Sequence, residues 1–377
     1  MFCNAKRRRA PAAGDWRPAT IIRSMPLLLP FALALQVLPG AAAPPSPASP
    51  ARTPVKVVVV TMFERGADTG DAPGEFQYWV EREKLDTVFP LAHGDHDLRM
   101  NGGGVLGMVT GVGTAKSAAA IMAVGLDPRF DLSKAYWLVA GIAGIDPADA
   151  SLGSAAWAEW VVDGDLAHEI DAREIPPDWT TGYIPLRKSV PYEQPRAPDE
   201  GQAYHLNPRL VEWAYRLTKN VKLEDTEAMR RRREQFEDEN ARRPPFVLKG
   251  DTLSSATFWH GKRMNRWAND WVKYYTGGQG NYVTTAMEDA GTLQALTLLA
   301  KAGKVDLRRV LVLRTASNYD QQRPGLTAAE SIAETKVGSY TAYLPSLDAA
   351  WRTGSVVVHE LTGHWERYRD TIPGAGE

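Results

Sequence analysis

Residues Val55 to Val60 are a run of valines broken only by Lys56. A strand with one wet face alternates apolar and polar residues, so an unbroken β-branched run marks a strand buried on both faces for most of its length. Such a strand belongs inside a sheet that is covered on both sides. Similar texture returns at Val105 to Val109, Ala135 to Val139, Trp157 to Val162, Val283 to Ala286 and Val310 to Leu313. Helical patterns lie beside them, at Thr114 to Gly125, Gly291 to Ala300 and Ala328 to Leu344. Buried strands alternating with helices predict an α/β fold with a central mixed, largely parallel sheet.

A length of 377 residues allows one large domain or two ordinary ones, and 44% hydrophobic residues suffice for a sizeable core. The net charge of -1 gives no general electrostatic reason to bind nucleic acid or an anionic membrane. Residues 1–43 read as a signal peptide: Lys6-Arg7-Arg8-Arg9 supply charge, Met25 to Val37 an apolar run interrupted by Pro30, and Gly40-Ala41-Ala42-Ala43 a small-residue cleavage site. Cleavage near Ala43 would export the chain to the periplasm or the medium. An uncleaved anchor is the alternative, and Met25 is a second candidate start. Cys3, the only cysteine, lies in that segment, so the mature chain has no thiol chemistry and no disulfide.

Residues 44–54, rich in Pro, Ala and Ser, read as a linker, and residues 55–373 as the folded domain. Between about 178 and 245 the texture turns to proline and charge. Helical spacing runs from Pro208 to Leu217 and from Glu224 to Ala241, and Arg230-Arg231-Arg232-Arg233 sit among Glu224, Asp225, Glu227, Glu234 and Glu237. Interleaved opposite charge predicts a solvated helix laced with ion pairs, carried on an insertion.

Chemistry-bearing residues gather at strand ends. Thr284-Thr285-Ala286-Met287-Glu288-Asp289 closes a short strand and opens a helix. A carboxylate fixed there accepts two hydrogen bonds at once and suits a vicinal diol; complementing the helix dipole is its structural alternative. Gly111-Val112-Gly113 forms a tight strand-to-helix turn, and Gly141-Ile142-Ala143-Gly144 lets backbone approach a ligand at the carboxyl edge of the sheet. Phe258 and Trp259 follow a strand, where one could stack on a flat base while at least one belongs to the core. After the last strand, Asn318 offers donor and acceptor to a purine edge, and Asp320 is a candidate general acid. His359-Glu360-Leu361-Thr362-Gly363-His364 is no zinc helix, because its second His is one residue too late to share a face with the first; no metal site is expected.

In chain order these pieces resemble the nucleoside phosphorylase superfamily. More closely, Val55 to Pro373 resembles the purine nucleoside permease family within it, through Thr61-Met62-Phe63-Glu64, Gly74-Glu75-Phe76, Phe258-Trp259-His260-Gly261, Met287-Glu288-Asp289 and Arg314-Thr315-Ala316-Ser317-Asn318. The resemblance implies a three-layer α/β/α fold and a purine nucleoside ligand, with Gly111, Gly113, Gly141, Gly144, Phe258, Trp259, Met287, Glu288 and Asn318 as substrate-binding residues. Two departures stand out. Asn318 occupies the position where the phosphorylases carry a proton-donating Asp, and Val139 and Ile142 replace their phosphate-site Arg and Ser.

Two functions compete on this reading. One is cleavage of the N-glycosidic bond, with Glu288 orienting the ribose, Glu64 or Glu75 activating water, and Asp320 as acid. Phosphate remains open as co-substrate, reached by Arg65 or Arg314, and no other cofactor is expected. The other is binding without chemistry, in which an exported protein presents nucleosides to a membrane transporter. Superfamily analogy adds a homo-oligomer.

Overall fold

The valine run becomes the strand Val57–Thr61 (β1), every residue of it buried. In the computed structural model, which describes residues 51–193, 202–334 and 340–374, β1 lies in a sheet of 12 strands. The strands that place the site are Val105–Val109 (β2), Tyr136–Ile145 (β3), Ala155–Ala158 (β4), Trp160–Asp163 (β5), Asp251–Ser254 (β6), Tyr282–Ala286 (β7) and Val310–Tyr319 (β8). β1 pairs in parallel with β2 and β3, and β3 in parallel with β8. β8 continues antiparallel to β4, and β5 leads through parallel β6 to β7, which returns antiparallel to the end of β3. The two branches of the sheet meet at Gly144, which registers with Thr285 on one side and Asn318 on the other.

Two strands run far past their predicted ends, β3 to Ile145 and β8 to Tyr319. Both continue through glycine or polar residues that sequence alone places at the end of a strand or just after it. The ladder between them supplies the hydrogen bonds that hold these segments extended. The predicted strand Trp157 to Val162 instead divides at Glu159. There the Asp251 carboxylate accepts the Glu159 and Trp160 N–H groups at 3.0 and 2.7 Å, which satisfies the backbone at the bend.

Helices complete a three-layer α/β/α arrangement: Gln77–Arg82 (α1), Thr114–Gly125 (α2), Pro208–Thr218 (α3), Glu227–Arg233 (α4), Glu239–Arg242 (α5), Lys262–Tyr275 (α6), Asp289–Lys301 (α7), Ala328–Glu334 (α8) and Tyr343–Gly363 (α9). Ile121 and Val124 of α2, Leu293, Leu296 and Leu299 of α7, and Val357 and Val358 of α9 join the valines of β1 in one core. Among the described residues no helix is long and apolar enough to cross a membrane.

Three expectations change. The pattern from Ala328 to Leu344 is not one helix: residues 340–342 are not helical, and α9 begins at Tyr343 and carries the apolar face onto β3 and β8. The pattern from Glu224 to Ala241 breaks into α4, capped by the Thr226 hydroxyl, and α5. The insertion is also less solvated than its charge implies. Leu210, Val211 and Ala214 of α3 enter the main core, while Met229, Phe236 and Ala241 bury against Ile145 and Tyr319. Arginine stems are long enough to lie along such a surface, so charge did not report burial there. The expected export segment lies outside the described residues.

Candidate functional site

β7 ends at Ala286, and the chain turns directly into α7 with Glu288 as the residue flanking its first turn. This junction is held from three sides. Ser254 Oγ accepts the Ala290 N–H at 2.9 Å, Ser117 Oγ donates to the Glu288 carbonyl at 2.8 Å, and Gly113 N–H donates to Glu288 Oε1 at 3.2 Å. Gly113 has φ +100°, a conformation that L side chains rarely adopt, so the turn opening α2 requires glycine to present that N–H. Glu288 is therefore both fixed and buried.

Its partner comes from β8. Arg314 directly follows the apolar run Val310 to Leu313 within β8 and is 1% exposed. Its Nη2 donates to Glu288 Oε2 at 3.1 Å and to Asp289 Oδ1, its Nε to Asp289 Oδ2 at 3.1 Å, and its Nη1 to the Ile142 carbonyl at 3.1 Å. A third carboxylate, Glu75, completes the cluster. Its Oε1 accepts the Ile142 N–H at 2.7 Å and its Oε2 the Met62 N–H at 2.8 Å. A Cβ at position 141 would lie 2.7 Å from each of Arg314 Nη1, Glu75 Oε1 and Met62 Sδ, so only glycine lets these groups converge.

Glu75, Glu288 and Asp289 thus share one guanidinium in a dry setting. Burial pushes the Glu75 carboxyl up to about 8, with Arg314 opposing and Glu288 adding to the rise. Burial also raises Glu288, again against Arg314 and with Asp289 adding. Two carboxylates that cannot both ionise at no cost around one cation leave the cluster proton-binding and electronegative.

A cavity of about 260 Å³ opens onto this cluster, with Glu75, Glu288 and Arg314 on its wall beside Met287 and Asn318. Apolar lining from Met62, Phe63, Val112 and Ile142 and a few convergent polar groups give it the make-up of a small-molecule site. Phe258 and Trp259 both reach it, but differently. Phe258 is 49% exposed and free to stack, whereas Trp259 is 7% exposed and packs edge-on against Trp267. Asn318 follows a register shift in β8 opposite Ala143 and Gly144, a bulge of the kind that re-aims a side chain beside a site. Its Oδ1 accepts from Ser317 Oγ at 2.8 Å and its Nδ2 donates to the Tyr319 carbonyl at 3.1 Å.

Five of the predicted residues do not line the cavity. Glu64 spends its carboxylate on the N–H groups of Arg65, Gly74, Phe76 and Gln77, and so closes the neck of the loop that delivers Glu75. Asp320 is 1% exposed, accepting from Tyr282 Oη at 2.6 Å and from Asn265 Nδ2 at 3.0 Å; burial, reinforced by Asp146, holds its carboxyl well above the usual range. Gly111 sits against Asp95 and Lys116, and Gly141 backs the carboxylate cluster without lining the cavity. Glu75, Gly144, Phe258, Trp259, Met287, Glu288 and Asn318 all reach the cavity, and Gly113 reaches Glu288.

Arg314 as the shared counter-ion, and Tyr340 on the wall, were missed. A lone Arg inside the apolar run Val310 to Leu313 and its continuation was the available signal for the first, since a buried cation demands buried anions. Tyr340 had none. Arg65 is exposed, with its guanidinium 5.8 Å above the Tyr343 ring.

A family model described as purine nucleoside permease (NUP) matches residues 54–373. A probable purine nucleoside permease of Schizosaccharomyces pombe is 33% identical over 323 residues, spanning 82% of this chain and 90% of that protein. A purine nucleoside permease of Candida albicans is 29% identical over 316 residues, spanning 83% of this chain and 76% of its own. Among solved structures, the 5′-methylthioadenosine/S-adenosylhomocysteine nucleosidase of Neisseria meningitidis is similar with a TM-score of 0.48 and 14% identity, over 81% of this chain and 99% of that one. Futalosine hydrolase of Helicobacter pylori is similar with a TM-score of 0.48 and 15% identity, over 81% of this chain and 98% of its own.

Proposed function

The chain belongs to the purine nucleoside permease family, and from that premise we propose that it binds purine nucleosides in the cavity beside Glu288 and cleaves their N-glycosidic bond with water. The observation that carries this reading is the surplus of buried carboxylates around Arg314. Bond cleavage at C1′ passes through an oxocarbenium-like state with positive charge on the sugar, and preorganised negative groups stabilise it. The same groups disfavour phosphate. Arg314 already commits four of its five N–H donors to Asp289, Glu288 and Ile142, which leaves at most one for a dianion that would have to be desolvated.

The roles follow from position. Glu288 accepts the ribose 2′ and 3′ hydroxyls, Phe258 stacks on the base, and Asn318 hydrogen-bonds its edge. Glu75, ionised, takes a proton from water as the oxygen bonds to C1′; the C1′–N9 bond breaks and the purine leaves with its electron pair, steadied by the Asn318 amide and protonated from solvent. A carboxyl poised at about 8 changes protonation near neutral pH, as a general base needs to. The second reading, binding without turnover, draws on Asn318 itself, because an amide cannot supply the proton that a departing purine needs. In it the protein hands nucleosides to a membrane transporter. Residues 1–43 are proposed to direct export in either case, which N-terminal sequencing of the mature protein tests.

Incubating purified protein with inosine and adenosine, with and without phosphate, decides between them. Free ribose in both conditions is the expected result. Ribose 1-phosphate alone, formed only when phosphate is present, would make the protein a phosphorylase and end the hydrolytic reading. Binding with no product in either condition would establish the second.

A further inference from the structure

Two chain segments that wall the nucleoside cavity continue past it into a second, smaller one. Along the first, Phe258 and Trp259 line the main cavity and His260 lines the next. Along the second, Ser317 and Asn318 line both, while Gln321 belongs only to the smaller. Tyr340 also faces both. The two spaces are neighbours with Asn318 at their border, and the smaller holds about 110 Å³. A water needs roughly 10–15 Å³ on such a measure, so there is room for a short chain of a few heavy atoms.

Resting on the nucleoside reading above, the order of groups sets the ligand's direction. Ribose lies at Met287 and Glu288, the base runs along Phe258, and its far edge meets Asn318. An amide that spans a purine's N7 edge directs whatever is attached at the neighbouring 6-position past itself and into the smaller cavity. We propose that this cavity is an annex for a substituent on the purine 6-position, and that the ligands of this protein include N6-substituted adenosines with a short polar tail.

Polarity of the walls specifies the tail. His260 Nε2 lies 3.0 Å from Ser331 Oγ, and burial, with Arg232 adding, pushes its imidazole down to about 4, so it is neutral at ordinary pH. Arg232 donates to Gln235 Oε1 at 3.1 Å and pairs with Glu334 at 3.4 Å. A neutral imidazole, a guanidinium and a carboxylate in one small space suit a hydroxyl, which donates and accepts, better than an alkyl tail. Arg232 comes from α4, so the charged insertion supplies a wall of this annex.

Calorimetric titration of the full chain with adenosine, N6-(2-hydroxyethyl)adenosine and N6-benzyladenosine tests the assignment. The hydroxyethyl compound is expected to bind within about tenfold of adenosine, because the annex is already present, and the benzyl compound about a hundredfold more weakly, because its apolar ring desolvates the polar and charged walls without pairing them. Gln321→Phe, which fills the annex from a half-buried position, is expected to weaken the hydroxyethyl compound about tenfold and leave adenosine unchanged. Adenosine bound with the hydroxyethyl compound a hundredfold weaker would overturn the annex alone, as would equal losses for both ligands in the variant. Failure of adenosine itself to bind would instead overturn the nucleoside reading, and the annex with it. If Gln321→Phe does not fold, the ligand series on the natural chain still decides.

Discussion

Two buried arginines in this protein are used in opposite ways. Arg233, in α4 of the charged insertion, is 3% exposed and grips Asp225 with both ends of its fork, at 2.6 and 3.1 Å. Asp225 also takes Arg230 from the surface at 3.5 Å, so carboxylate and cation are matched and the edge of the pair is wet. Arg314 is equally buried but faces Glu75, Glu288 and Asp289 together, on the wall of a cavity. One arrangement neutralises charge and holds a helix in place. The other sets three carboxyls against one cation, so that Glu75 holds its proton up to about 8, and an imbalance of that kind marks a functional site rather than a scaffold. The difference separates scaffold from site more sharply than burial or residue type does.

Removing the cations is the strongest way to break that comparison. Arg314→Met strands three carboxylates in a dry site and is expected to cost about 3–5 kcal/mol in chemical denaturation, the range for breaking a buried pair. Arg233→Met leaves one carboxylate near water and another arginine, so about 1–3 kcal/mol is expected. Equal costs would show that both arginines serve the scaffold alone.

Glu75→Gln sharpens the same point through catalysis and through pH. As the base, its loss is expected to lower the hydrolysis rate about a hundred- to ten-thousand-fold. In the natural chain kcat/KM should rise with pH and level off near 8, since only the ionised form accepts a proton. Stability should move the other way. The folded chain keeps the Glu75 proton up to about 8, whereas the unfolded chain loses it near 4.5, so this group's contribution is complete below 4.5 and falls as pH rises through that window. Denaturation across pH 5 to 8 should show the fall flattened in Glu75→Gln. A rate that drops above pH 8 would mean that the protonated form is the active one.

Glu288→Gln keeps the shape of the clamp but loses one of its charged acceptors. Nucleoside binding should weaken by about 1.5–3 kcal/mol and binding of the free purine much less. Asp225→Asn, the matched change at the scaffold arginine, should alter neither. Among the candidate catalytic carboxyls the smallest effect is expected from Asp320→Asn. Its carboxyl is buried behind Tyr282 and Asn265 and does not line the cavity, so an amide of the same shape should leave the rate within a few-fold, whereas loss of a true acid would cost about a hundredfold or more.

Much of the scaffold was legible without coordinates. Valine content marked β1, small residues marked α2, and the Met287-Glu288 junction marked the carboxylate that the cavity uses. These are local signals, because burial on both faces, close helix packing and a strand-to-helix turn each leave their mark within a few adjacent residues. Choosing among Glu64, Glu75 and Asp320 was not a local question. Glu64 and Asp320 lie a few residues past predicted strands and Glu75 between two of them, and their sequence contexts do not rank them. Tertiary structure separates them by their surroundings: four N–H groups turn inward to occupy Glu64, the Tyr282 and Asn265 side chains enclose Asp320, and Glu75 alone of the three reaches the cavity. Pattern along the chain therefore determined which segments are buried, since burial is set by what each residue excludes from water. Which acid keeps an open face depended on how loops and side chains fold back around each one, and only the folded chain brings those together.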